Sequence, residues 1–217
     1  MQRRDFFVGL GSAAAATAVL SPSAVLAQAQ APVAGTDFVK LDKPAPVEAP
    51  AGKIEVVEFF SYMCPHCNVF EPAFGAWIKK TPKDVVVRRV PVPFLPNFEV
   101  LQRMYYAMEA LNLVEALHAK VFAAVHNEHR SFPSADAAAD WLVAQGVDRA
   151  KFMAQYNSFT VASKAARAKQ LTNAYQVEGV PTLGVGGRYY TDGSLAKGMD
   201  RALQVVDFLV VQARRGR

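Results

Sequence analysis

The chain has 217 residues, 52% apolar and 20% charged, with two cysteines. That balance excludes a disordered, collagenous or polytopic membrane protein, and two cysteines make at most one bridge, which excludes a disulfide-stapled scaffold. The formal charge of +5 does not mark a nucleic-acid binder: Arg3, Arg4, Arg214, Arg215 and Arg217 at the two ends account for the excess, and no basic stripe with interleaved aromatics lies between them. The last three arginines read as a solvated tail that stabilises the end of a final helix.

Arg3 and Arg4 precede a weakly apolar run from Phe6 to Leu20, followed by small residues up to Val25-Leu26-Ala27. A positive flank, a short apolar run and a small-residue site form a cleavable export signal over residues 1–27, and the run is shorter than the roughly 20 residues of a membrane span. The paired arginines followed by Asp5-Phe6-Phe7 fit a twin-arginine signal as well as an ordinary secretory one. Export implies a compartment in which a disulfide persists.

Residues 28–53 are proline-rich and leave room for one short strand, Phe38 to Leu41. Ile54 to Ser61 is a β-branched and aromatic run suited to the middle of a sheet. Cys64-Pro65-His66-Cys67 opens a helical pattern through Phe70, Phe74, Trp77 and Ile78, with Cys64 as cap, Pro65 at the first helical position and Pro72 inside the helix. Val85 to Val90 reads as a second strand. From Phe98 the period turns helical, through Leu101, Met104 and Met108 and then Leu117, Val121 and Val125. Ser134 and Asp148 cap two further helices, and Thr160 to Tyr175 makes another. Strands return at Val180 to Val185 and Arg188 to Thr191 around Gly186-Gly187, and Met199, Ala202, Leu203, Val206 and Leu209 share one face of a last helix. The order predicts an α/β fold with an inserted helical domain: 28–96 and 172–217 form the sheet domain and 97–171 the insertion.

Two cysteines at i and i+3 on a first helical turn lie within disulfide reach and can cycle between dithiol and disulfide. Cys64 faces unpaired backbone N–H groups and the positive end of the helix dipole, which favour a thiolate; His66 adds a donor, and a charge when protonated. Each further unit of pKa depression below the working pH stabilises the dithiol by about 1.4 kcal/mol, or roughly 30 mV, so the disulfide is expected to oxidise other thiols. Other readings are a structural bridge, a zinc site completed by His126 and His129, or a metal-binding or chaperone-like module without turnover. His118 reads as an ordinary helix residue, and the Met104, Tyr105, Tyr106 and Met108 cluster as core.

Glu58-Phe59-Phe60-Ser61-Tyr62-Met63-Cys64-Pro65-His66-Cys67, with Gly179-Val180-Pro181-Thr182 downstream, resembles the DsbA thiol:disulfide oxidoreductases of the thioredoxin fold. The resemblance implies a thioredoxin fold with the helical block as its insertion and a periplasmic thiol oxidase. This oxidase donates the Cys64–Cys67 disulfide to reduced, newly exported proteins through a mixed disulfide on Cys64. Pro65 and His66 complete that catalytic motif. The resemblance further implies a cis proline at Pro181, backbone groups of Val180 that pair with substrate, and Glu58 as a buried acid that tunes the second sulfur opposite Arg88 or Arg89. It implies no cofactor beyond the redox disulfide, a monomer, and re-oxidation by a DsbB-type membrane quinone reductase. A periplasmic reductase or isomerase is the alternative within that class.

Overall fold

The structure, a computed structural model, describes residues 31–96 and 98–216; the expected signal segment 1–27 lies outside them. Strand β2 (Ile54–Phe60) is buried along its whole length, as its unbroken run of apolar and aromatic residues predicts. It pairs in parallel with β3 (Val85–Pro91), and helix α1 (Pro65–Ile78) makes the crossover between them. On its other side β2 pairs antiparallel with β4 (Thr182–Val185), which continues through β5 (Tyr189–Asp192) to the two-residue β1 (Val39–Lys40). The sheet order is β1-β5-β4-β2-β3.

Strand β4 begins two residues later than the sequence pattern suggests. Pro181 has no N–H for a ladder, so Gly179 to Pro181 forms a loop at the head of the strand, and the Val180–Pro181 bond is cis. The β4–β5 turn is closed by the Arg188 N–H donating to the Val185 carbonyl, with Gly186 and Gly187 both at positive φ, as a type I′ turn requires.

Between β3 and β4 the chain forms α2 (Phe98–Ala110), α3 (Val114–His126), α4 (Ala135–Ala144), α5 (Arg149–Tyr156) and α6 (Phe159–Ala174). Ser134, Asp148 and Ser158 cap the last three, each side-chain oxygen accepting a backbone N–H of the first turn. These helices pack on one face of the sheet in a cluster that includes Val57, Phe59, Met104, Met108, Leu117 and Phe122. Met104, Tyr105, Tyr106 and Met108 are all buried in it. The other face carries α1 and α7 (Met199–Arg215) over Ile54, Val56, Phe74, Leu183 and Val206. Alternation along β2 sends its residues to the two faces in turn.

The C-terminal arginines are not all a solvated tail. Arg214 makes a two-pronged ion pair with Asp84, both bonds 2.8 Å, which ties the end of α7 to the loop before β3.

Candidate active site

Cys64 ends the turn that follows β2 and caps α1, its sulfur accepting the Cys67 N–H at 3.4 Å. Pro65 occupies the first helical position, where no N–H is needed. Both cysteines are buried and present as free thiols, Cys67 with no exposed surface and Cys64 with 6%. The His66 side chain projects to solvent.

The thiols have opposite acidity. The Cys67 thiol donates to Cys64, and backbone N–H groups of Cys67 and His66 add to it; together with the charge of His66 they outweigh burial and hold the Cys64 thiol down to about 6. Cys67 is pushed far above the ordinary thiol range, first by burial and then by its bond to Cys64 and the negative charges nearby. A low-pKa sulfur at the mouth and an inert thiol behind it make an attackable disulfide once the pair is oxidised.

The Val180 carbonyl lies 3.3 Å from the Cys64 sulfur and accepts its thiol proton. The loop at Val180–Pro181, whose peptide bond is cis, lies against α1 here, although the two segments are 116 residues apart. His66, Val180, Pro181, Gly193 and Met199 line a groove of about 380 Å³ beside the cysteine.

Glu58 is fully buried on β2, directly beside Arg89 in the parallel ladder, and Arg89 Nε donates to its Oε2 at 2.9 Å. The register decides between the two arginines: Arg89 shares a face with Glu58, whereas Arg88 points the other way, to Glu55 at 2.8 Å and Glu48 at 3.1 Å. Desolvation dominates over the Arg89 charge and pushes the Glu58 carboxyl up to about 7.

His118 is not an ordinary helix residue. It is buried on α3, its Nδ1 2.7 Å from the Tyr62 hydroxyl and its Nε2 3.3 Å from Glu71 Oε2. Glu71, on α1, also accepts from Arg89 Nη2 at 2.6 Å. The sequence carried a signal for both: Glu71 stands seven residues after Cys64 and four after Cys67, on their side of α1, and His118 shares the α3 face of Val121 and Phe122. The four ligands of the zinc reading are not brought together. His126 Nε2 lies 2.8 Å from the Tyr62 carbonyl, and His129 lines a separate cavity with Met63. Among the described residues the one group of metal-ligand type within reach of itself is Glu58, Glu71 and His118, and Arg89 already occupies two of its carboxylates.

Residues 55–209 match the family of DSBA-like thioredoxin domains. The thiol:disulfide interchange protein DsbA of Bordetella parapertussis is 43% identical over 99% of this chain and 100% of its own length. That of Pseudomonas aeruginosa is 41% identical over 91% and 93%. The crystal structure of Pseudomonas aeruginosa DsbA superposes with a TM-score of 0.81 at 41% identity, covering 85% of this chain and 95% of the other. The Xylella fastidiosa oxidoreductase DsbA superposes with a TM-score of 0.79 at 32% identity, over 86% of this chain and 100% of the other. A cysteine pair capping the first helix of such a domain, beside a cis-proline loop, therefore makes this chain a member of the DsbA family, a thiol:disulfide oxidoreductase of thioredoxin fold.

Proposed function

We propose that the chain is a periplasmic thiol oxidase whose Cys64–Cys67 disulfide passes to reduced exported proteins. The observation that carries this reading is the helix-capping Cys64, whose thiol is held at about 6 while its partner stays buried. A substrate thiolate attacks Cys64 Sγ, the S–S bond breaks, and its electron pair goes to Cys67 Sγ, which takes a proton from the Glu58 carboxyl beneath it. A second substrate thiolate attacks the substrate sulfur of the mixed disulfide and expels Cys64 as a thiolate. The substrate's two thiol protons go to solvent and its dithiol is oxidised, while the enzyme pair gains two electrons and is reduced.

Each remaining site residue has a role in these steps. Pro65 starts the helix without adding an N–H that lacks a partner, and His66 adds a positive charge near the leaving thiolate. In the disulfide Cys64 has no proton to donate to the Val180 carbonyl, which can then receive an N–H from an extended substrate, with Pro181 shaping the groove beside it. Residues 1–27 direct export and are cleaved, the chain works as a monomer without a further cofactor, and a DsbB-type quinone reductase returns the dithiol to the disulfide.

A glutathione redox titration of the mature protein tests the direction of transfer. The expected potential is more positive than about −180 mV, the range of protein disulfide isomerase. A value near the roughly −270 mV of thioredoxin would make the protein a reductase instead.

A further inference from the structure

The polar groups beneath the redox pair hold more chemistry than one acid requires. Arg89 bridges Glu58 and Glu71, at 2.9 Å and 2.6 Å, and Glu71 continues to His118 and so to Tyr62. Glu58 Oε1, Glu71 Oε2 and His118 Nε2 are all buried without a well-formed hydrogen bond, and the three side chains offer atoms within 4.8 Å of one another. One guanidinium faces two carboxylates, so a fully ionised cluster would bury a net negative charge, and one added proton removes it.

The surrounding groups restrict where that proton can reside. His118 faces Glu58 from β2, Tyr62 from the β2–α1 turn, Glu71 from α1, Arg89 from β3 and Tyr105 from α2; Phe60 and Phe122 fill the rest of its shell with apolar rings. Burial keeps the phenols of Tyr62 and Tyr105 neutral, and burial likewise disfavours a charged His118 ring. A carboxylate can only accept, so His118 Nε2 carries the hydrogen towards Glu71, and Nδ1 accepts from the Tyr62 hydroxyl. Glu71 thus has Arg89 on one oxygen and an imidazole N–H against the other, whereas Glu58 has Arg89 alone.

We propose that His118 and Glu71 are positioning residues that keep the cluster's shared proton on Glu58, the carboxyl beside Cys67. His118 stabilises Glu71 as the carboxylate; ionised Glu71 repels a second negative charge and leaves Glu58 as the protonated member. The inserted helical block thereby sets the supply of the proton that Cys67 takes when its disulfide opens. This consequence in turnover rests on the oxidase reading, but the placement of the proton does not.

Site-resolved carbon NMR of the glutamate carboxyls in the mature dithiol protein tests it. In the wild type Glu58 is expected to titrate near neutrality and Glu71 below the usual carboxylate range. His118→Phe, which removes the N–H at similar volume, should move the neutral titration to Glu71 and cut the ratio of protonated to ionised Glu58 at pH 7 by about tenfold, one unit of pKa. His118→Gln, with an amide donor for Glu71 and an acceptor for Tyr62, should restore the wild-type order. An unchanged Glu58 titration in folded His118→Phe overturns the proposal. Should that variant not fold, Glu71→Gln must lower the Glu58 midpoint, and no change there is equally fatal. A low redox potential with the expected titrations would reject the oxidase reading and leave the proton assignment standing.

Discussion

Cys64 and Cys67 lie one helical turn apart, and they differ because Cys64 accepts the Cys67 thiol and then the backbone N–H groups of the first turn of α1, whereas burial comes first for Cys67. The sign of the pH dependence follows from that asymmetry. The Cys64 pKa is lowered on folding, from the ordinary 9.0 to about 6, so its contribution to the stability of the dithiol form is complete above about pH 9 and is lost as pH falls through 6. Thiolate absorbance of the dithiol protein should rise with a midpoint near pH 6. Replacing His66 by Ala, which removes the ring but leaves the backbone N–H, should raise that midpoint by about one unit and lower the potential by roughly 30 mV. An unchanged potential would remove His66 from the list of tuning groups. Glu58 has the opposite sign: its pKa is raised from 4.5 to about 7, so its burial costs nothing in acid and costs progressively more as pH rises through that window. Glu58→Gln should therefore leave denaturant stability nearly unchanged at pH 4 and increase it by on the order of 3 kcal/mol at pH 8. A variant destabilised equally at both pH values would show that the carboxyl is not ionising under strain. The cysteines, Pro65, His66 and Pro181 were legible because a motif places them locally, on one helix start and one strand entry. The face of α3 that carries His118 was legible too, but not its partnership with Tyr62, which is 56 residues away and which the docking of α3 alone brings to it.

At the scale of elements, the sequence carried most of the helices because their signals are local. Ser134 and Asp148 stand at the caps their spacing suggests, and the apolar period from Phe98 onward matches α2 and α3. What was not legible is relational. The choice of Arg89 over Arg88 depends on the β2–β3 register, and the late start of β4 depends on how the Val180–Pro181 loop folds back on α1. Gly184 shows a similar constraint inside β4: a Cβ there would run into the ring of Tyr175, the C-cap of α6, at 2.7 Å from Cζ. That ring packs on Phe59 at 5.2 Å, and its hydroxyl accepts the Gly187 N–H, so it has no free direction in which to move. Gly184→Ala should cost about 1–3 kcal/mol through overpacking, read as a shift in denaturant midpoint, with the redox potential of the folded protein unchanged. A shifted potential would mean that β4 transmits its strain to the Val180–Pro181 loop.

For the whole molecule, chain order and energetics make different divisions. In chain order α2 to α6 interrupt the sheet domain between β3 and β4, which suggests a unit able to unfold by itself. The packing argues against that. The cluster on that face joins Phe59, Phe60, Tyr62 and Cys67 to Met104, Tyr105, Leu117 and Phe122 in one continuous apolar core. Aromatic contacts cross the boundary, Phe60 to Tyr105 at 5.3 Å and Tyr62 to Phe122 at 4.9 Å. Gln102 donates to the Pro91 carbonyl at 2.7 Å, and His118 and His126 both engage Tyr62. Separating the helices would expose this apolar surface and leave His118 and Glu71 without their partners, so partial unfolding loses most of what full unfolding loses. The described residues should therefore melt as one unit. The two tryptophans can report it: Trp77, bonded to Asp207, watches the α1–α7 face, and Trp141 on α4 watches the helical block. In Trp77→Phe and in Trp141→Phe, the remaining tryptophan's fluorescence should follow the same urea transition, in midpoint and slope, as the far-ultraviolet circular dichroism of that variant. A Trp141 signal that melts ahead of the backbone signal would establish the insertion as a separate folding unit, and its hold on Tyr62 as a contact that can open while the redox site stays folded.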